Sequence, residues 1–477
     1  MSVIVLFALT LGSYTSTGAS SAPVAVVLAK TYYVSPDGSD TNPGTQAQPW
    51  QTIQKAVKTV VAGDTVLVRG GEYSTVYGGW SFQSSGTQSQ PITISNYSGE
   101  QIIIKISQED KNYGAFGCWY APTDPEAWQT PKADFIRIIG SDVLPHVLSN
   151  GITSTKGIVI QGVLGHAAGV EAAGCDNWEV AGIDFVDVPY GIFTKKRNFM
   201  TTQDNSADHW YVHGNRVYGY FSESGMQFNG NYNLIENNEI YKVTDINNTP
   251  YGCQLLNLLG NNNIVRGNIL SRKGSAVQCL GILLEWDLAD GNTVEQNLIF
   301  DVTAGMVFQG GDNNVIRNNI IYISNTPEPY GAGIGIFSYD DLKTVWPCNE
   351  AAEAAAILPA NNPSAPDYQY YYNPRNCHSF GNKVYNNTIH GFVEGIRFYP
   401  LVGENTIIRN NVFSGWTRGG ICYYNASQGT CKPLPLGLVA DYNAEQDFGY
   451  MDIQHFDFHL TADSPLIDAG YDLGSLD

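Results

Sequence analysis

A six-residue pattern, Asn-x-(Ile/Val)-x-x-Asn, begins at Asn233, Asn263, Asn292, Asn314, Asn382 and Asn405. Successive starts are 30, 29, 22, 68 and 23 residues apart, and the long step holds an insertion at 341–377 besides one ordinary repeat. Trp210-Tyr-Val-His-Gly-Asn215 extends the series toward the N-terminus. A second element, Gly followed by apolar-x-apolar, recurs at Gly225, Gly252, Gly281, Gly305, Gly333, Gly395 and Gly420. Period-two alternation makes these short strands, with Met226 and Phe228, Ile282 and Leu284, or Ile396 and Phe398 inward and the residue between them outward. A single coil of this kind cannot bury its inner face. Coils must therefore stack, ~4.8 Å apart, and Asn at the turns tolerates left-handed backbone and bonds to the coils above and below. The Leu-x-x-Leu-x-Leu frame of the competing solenoid, the leucine-rich repeat, is absent. The fold expected is all-β, a single-stranded right-handed parallel β-helix solenoid.

Composition agrees, because charged residues are only 15% of the 477 while Gly numbers 50 and Tyr 29. The net charge of −20 repels polyanions, so nucleic acid is not an expected partner. An acidic glycan would need a local basic patch or Ca²⁺ in its groove. Residues 3–12 (VIVLFALTLG) form an apolar run too short for a membrane span, although no Lys or Arg precedes it. We read residues 1–29 as a signal peptide and the mature chain as a secreted monomer without a membrane span. Eight cysteines suit an exported chain. Cys348 with Cys377 and Cys422 with Cys431 are the local pairs expected, while Cys253 and Cys279 are either bonded or buried free thiols.

Residues 30–62 are expected to supply an N-terminal strand and an amphipathic capping helix. Within 49–61, Ile53, Ala56, Val57, Val60 and Val61 fall at helical spacing, and Gly63-Asp64 stops the helix. It would cover the open end of the first coil, which begins near Thr65, in a β-helix running over 63–477. Tyr32-Tyr-Val-Ser-Pro-Asp-Gly-Ser-Asp-Thr-Asn-Pro-Gly-Thr45, then Pro49-Trp-Gln-Thr-Ile-Gln-Lys-Ala-Val57 and Gly63-Asp-Thr-Val-Leu-Val-Arg69, resembles the opening of the pectin-lyase-like parallel β-helix superfamily. Phe458-His-Leu-Thr-Ala-Asp-Ser-Pro-Leu-Ile-Asp-Ala-Gly470 resembles its closing segment. The resemblance implies the scaffold and action on a polysaccharide. Lyases, hydrolases, epimerases and non-catalytic surface proteins share that scaffold.

Nucleotide-binding glycine patterns, His-Glu-x-x-His and paired Cys-x-x-Cys are absent, which disfavours cofactor and zinc chemistry. The polygalacturonase signature is not reproduced either, since the nearest segments are Asn325-Thr-Pro327, Asp340-Asp341 and Gly165-His-Ala167. The outward column beside the repeated glycines reads Lys195, Asn229, Leu256, Glu285, Gln309, Phe337, Tyr399 and Tyr424, with Arg397 beside Tyr399 and Asp287 beyond Glu285. Aromatic rings stack on sugar faces while amides and charges fix hydroxyls and carboxylates. Gln309, Tyr339, Asn229 and Tyr424 are the substrate-binding candidates. Arg397 can clamp a carboxylate bidentately, Lys195 can neutralise a uronate or take its C5 proton, and Tyr399 can carry a proton. Glu285, Asp287 and Asp340 are candidate Ca²⁺ ligands, the oxygen donors that ion demands. Aromatic residues in the insertions at 105–135 (Tyr113, Phe116, Trp119, Tyr120, Trp128) and 341–377 (Trp346 and 368–372) either wall the groove or pin long loops. The function expected is a lyase cleaving an acidic polysaccharide by β-elimination. Its alternatives are an inverting hydrolase pairing Glu285 or Asp287 with Asp340 or Asp341, and a non-catalytic glycan binder.

Overall fold

The computed structural model describes residues 28–473 except 76–78, 108–113, 119–131, 163–167, 196–205, 221–222, 243–252, 273–277, 286–288, 325–330, 338–378, 399–404, 426–427, 435–436, 446–449, 453–454 and 456. Three long sheets of 13, 11 and 12 strands, here A, B and C, dominate these residues. Each pass of the chain adds one strand to each sheet. Neighbours such as Leu280–Glu285, Ala304–Gln309 and Ala332–Phe337 in sheet C are parallel and in register. This is the expected all-β solenoid, with a single helix among the described residues.

The strand motif puts one apolar row inside. Met226, Leu256, Ile282, Met306, Ile334 and Ile396 follow one another in register across sheet C, and none is exposed to solvent. Burial of such a side chain contributes roughly 1.5–3 kcal/mol, so every added coil extends the core by a similar increment. Leu256 is therefore not the outward residue expected of it. Ser224 pairs with Gln254, which aligns Leu255, not Gly252, with the glycine column, and the apparent Gly252-Cys-Gln-Leu repeat is out of register.

The glycines are required by the stacking itself. A Cβ on Gly305 would lie 2.4 Å from the carbonyl oxygen of Gly333 and 2.3 Å from Ile321 Cγ2, and one on Gly281 would lie 2.3 Å from the Gly305 carbonyl oxygen. Coils pass too closely there for any side chain.

The asparagines form two ladders flanking sheet A. In one, the backbone N–H groups of Asn233, Asn263, Asn292 and Asn314 each donate to the Oδ1 of the next rung, ending at Asn382, at 2.8–2.9 Å. In the other, Asn215, Asn238, Asn268, Asn297, Asn319, Asn387 and Asn411 do the same, ending at Asn443, and the Nδ2 groups also donate to backbone carbonyls. Left-handed backbone is adopted not by these residues but by the ones just before them, such as Asn262 (φ 56°), Asn313 (54°), Asn237 (54°) and Asn318 (57°). Asn405 belongs to that left-handed set (φ 55°), and the ladder position after Asn382 is taken by Thr406. The repeat beginning at Asn405 is shifted by one residue.

At the N-terminal end, Thr52 caps a helix over Ile53–Thr59 by accepting from the Lys55 N–H at 3.1 Å. Ile53, Ala56 and Val57 face the core, Val60 follows the helix and is buried, and Val61 is 41% exposed. Thr31–Val34 pairs with Thr65–Val68, so the first rung of sheet A precedes the helix. Part of 105–135 is also a rung: Phe116–Cys118 lies in sheet C with Phe116 fully buried, so that ring belongs to the core and not to a groove wall. Tyr113, Trp119, Tyr120 and Trp128, the whole of 341–377, and residues 1–27 lie outside the described residues.

Disulfides join Cys118 to Cys175, Cys253 to Cys279 and Cys422 to Cys431. The last was expected, the second resolves the open reading of Cys253 and Cys279, and Cys348 with Cys377 lies outside the described residues. Among the described residues, no helix is long and apolar enough to cross a membrane.

Candidate functional site

Outward side chains of sheet C fall into two charged ends with an amide and apolar stretch between them. At the N-terminal end, Tyr190–Lys195 carries Lys195, whose Nζ pairs with Glu171 on the preceding rung and stands 5.4 Å from the Phe193 ring centre. Glu171 is 7% exposed and Lys195 36%. The phenol of Tyr190, stacked on Phe193 at 4.7 Å, donates to Glu223 at 2.6 Å.

The middle rungs carry Ser224, Gln227, Gln254 and Asn257, all buried although they point away from the core. Asn257 Nδ2 donates to Glu285 Oε2 at 2.7 Å, and Glu285 lies in register with Gln309 and then Phe337. Leu283, Ala304 and Val307 make a small apolar cluster beside them. Asn229 is 1% exposed, with its backbone N–H donated to Thr194 Oγ1 at 2.8 Å. Polar groups held out of water cost folding free energy unless paired, and here Ser224 Oγ donates to Gln254 Oε1 at 3.2 Å while Asn257 holds Glu285, so the outer face of these rungs is a hydrogen-bonded polar row.

At the C-terminal end, one fully buried carboxylate holds two guanidinium groups. Glu394 Oε2 accepts from Arg397 Nε at 3.1 Å and from its Nη2 at 2.5 Å, while Oε1 accepts from Arg418. Both guanidinium carbons stand 5.0 Å from the Tyr424 ring centre. Arg397 is almost fully covered, and Arg418, 28% exposed, is the accessible guanidinium of the pair.

Of the residues singled out from sequence, Arg397 and Tyr424 meet here, and Glu285 lines up with Gln309. Lys195 does not join Arg397. Their strands are six rungs apart in sheet C, about 29 Å at the inter-strand spacing, so one catalytic centre cannot use both. Tyr399, Tyr339, Asp287 and Asp340 lie outside the described residues. Glu394, Arg418, Glu171, Gln227 and Asn257 were not anticipated. Glu394 was within reach, because it is the outward residue just before the Gly395 repeat, where other rungs carry Ser224, Leu280, Ala304 and Ala332. Arg418 lies outside the repeat and has no such signal.

The model of a family described as Pel9A-like, right handed beta helix region, matches residues 32–254. The region that this model describes, a right-handed β-helix, is the fold that the three sheets form. Over 78 residues, 16% of the chain, it is 47% identical to a pectate lyase of Emericella nidulans, and the match spans 19% of that relative's length. An uncharacterized Bacillus subtilis protein, YwoF, is 42% identical over 72 residues, 15% of each chain. A PL6 family polysaccharide lyase of Pseudopedobacter saltans, 16% identical, superposes with a TM-score of 0.47 over 82% of this chain and 90% of its own. The pectate lyase Pel9A, 13% identical, does so at 0.37 over 95% and 94%.

Proposed function

We propose that this β-helix is a secreted polysaccharide lyase that cleaves an acidic, uronate-containing glycan by β-elimination on the outer face of sheet C. The observation that carries the reading is the pair of guanidinium groups, Arg397 and Arg418, that Glu394 gathers on this face. A uronate carboxylate docked there would have its charge neutralised, which lowers the cost of forming a carbanion at C5. Elimination then removes the C5 proton, forms the C4–C5 double bond and breaks the C4–O bond, and the leaving oxygen takes up a proton. Arg397 is assigned the neutralising role and Tyr399 the proton transfer. Tyr424 positions both guanidinium groups. Gln309, Asn229 and Tyr339 are assigned to sugar hydroxyls, with Asn257 added to them. Lys195, about 29 Å from Arg397, would serve a distant subsite only.

Calcium is part of the proposal through Glu285, Asp287 and Asp340. Glu285 alone of the three is described, its carboxylate is engaged by Asn257, and one carboxylate falls short of the six to eight oxygens Ca²⁺ takes. No step is routed through the ion. The similarity to a pectate lyase over a sixth of the chain supports the lyase reading, and the disulfides suit an oxidising, extracellular setting.

The test is incubation with polygalacturonate, alginate and glycosaminoglycans, with Ca²⁺ or with chelator, while following the ultraviolet absorbance of unsaturated uronates. Absorbance growth that is lost in Arg397→Ala supports the proposal. Reducing ends without absorbance would make the protein a hydrolase, and retention on glycan without either product would make it a binder.

A further inference from the structure

We infer that the turn leading into sheet A carries a second glycan-binding surface, built on the exposed ring pair His209 and Tyr232 and separate from the face of sheet C. One position in that turn is left-handed in coil after coil, and backbone hydrogen bonds align it as Phe135, Asn177, His209, Tyr232, Asn262, Gly291 and Asn313. Asn and Gly adopt this conformation with little strain, and bulky residues do not. His209 (φ 58°) and Tyr232 (φ 57°) occupy two consecutive rungs nonetheless. Phe135, the other bulky member, is set apart by Asn177 and is only half-buried.

The strain is not offset by burial. Tyr232 is 56% exposed and His209 is exposed as well, and their rings stack on each other at 5.3 Å with planes 12° apart. Rings held at a backbone cost and left in water are spent on something outside the chain. Beyond Tyr232 the next two rungs carry Asn262 and Gly291, neither of which has a ring, so the ring pair ends at Tyr232 with a carboxamide residue on the following rung. A flat apolar face bordered by a carboxamide suits a pyranose ring, which offers an axial C–H face and equatorial hydroxyls together. Farther along the same strand, Tyr211 and His213 also point outward and stack at 4.0 Å, with Tyr211 donating to Glu236 at 2.6 Å and His213 Nε2 lying 3.2 Å from Glu179. The platform is thus two ring pairs wide across sheet A. The choice of a glycan as ligand rests on the reading of the protein as a polysaccharide-active enzyme, and the surface would hold polymer while sheet C acts on it.

The test is the double variant His209→Asn with Tyr232→Asn, which installs at both rungs the residue that the neighbouring rungs use. Affinity electrophoresis through gels containing polygalacturonate, alginate or chondroitin sulfate should retard the parent on at least one polymer. The double variant should bind that polymer on the order of tenfold more weakly. Its melting temperature should be equal or higher, because strain is relieved. Its rate of unsaturated-uronate release from a short oligosaccharide should match the parent's. Retardation equal to the parent's, a lowered melting temperature with unchanged retardation, or a parent retarded by none of the polymers would each overturn the inference. The absorbance assay on Arg397→Ala reads the lyase proposal separately, since that substitution leaves the ring pair in place.

Discussion

Asn268→Ala and Asn263→Ala remove the same side chain from the two ladders at opposite ends of one strand, Ile264–Arg266, and their costs should differ. Both residues are fully buried. Asn268 Nδ2 donates to the Ile235 carbonyl at 3.0 Å, the Arg266 carbonyl at 3.1 Å and Asn297 Oδ1 at 3.0 Å, while its Oδ1 accepts the backbone N–H of Asn238 at 2.9 Å and its Nδ2 at 3.0 Å. Asn263 Oδ1 accepts the Asn233 N–H at 2.9 Å, but its Nδ2 has no partner. Each net hydrogen bond is worth about 1 kcal/mol and a stranded buried donor costs about 1–3 kcal/mol. Removing Asn268 strands the Asn238 N–H and weakens several further bonds, about 4 kcal/mol in all. Removing Asn263 strands one N–H and also deletes a donor that was already unsatisfied, about 1–2 kcal/mol. Guanidinium unfolding of the two variants side by side reads the difference as unequal midpoint shifts at similar slope. Equal shifts would refute the reasoning that bond count in the ladders sets coil stability.

Gly305→Ala should lower the unfolding midpoint by about 1–3 kcal/mol equivalent, because its Cβ would meet the Gly333 carbonyl at 2.4 Å, whereas Gly151→Ala, with nothing within 4 Å, has only its left-handed backbone to strain. Glu100 is held below the ordinary carboxylate range, chiefly by hydrogen bonds from Arg69. Its contribution is therefore complete above pH ~4.3 and is lost as pH falls through its depressed folded value, so Glu100→Gln should be less stable than the parent at pH 6 and converge with it in acid unfolding curves. Chelation should abolish unsaturated-uronate release if Ca²⁺ serves the reaction, and added Ca²⁺ should restore it. Glu171→Gln should free Lys195 and alter affinity for long chains more than the rate on short ones, as measured by a KM-against-kcat comparison.

The fold was legible in the sequence because stacking imposes the same local requirement at every coil. A glycine stands where another coil's carbonyl lies too close for a Cβ, and an asparagine stands where an N–H needs an acceptor one rung away. Pattern and coil part where the repeat is shifted by one residue or where the motif occurs by coincidence. Asn405 fits the pattern but occupies the left-handed position, and Gly252 precedes a strand whose true register starts at Gln254. The site was less legible. Outward positions have no packing constraint that repeats, so Arg397 and Glu285 could be placed on a face but their partners could not. Glu394 is a neighbour in sequence, but Arg418 reaches the same carboxylate from outside the repeat. The distance between Lys195 and Arg397 follows from counting rungs, which required the register of every strand between them.

On this reading the guanidinium pair held by Glu394 sets the chemistry of sheet C. The most direct measurement is the initial rate of unsaturated-uronate formation from polygalacturonate and alginate by the parent, Arg397→Ala and Arg418→Ala, with near-ultraviolet circular dichroism confirming retained packing. Activity is expected in the parent on at least one polymer, with a fall of a hundredfold or more, on the order of 3 kcal/mol, for Arg397→Ala and a smaller fall for Arg418→Ala. A well-folded Arg397→Ala protein that cleaves at the parent's rate would contradict it.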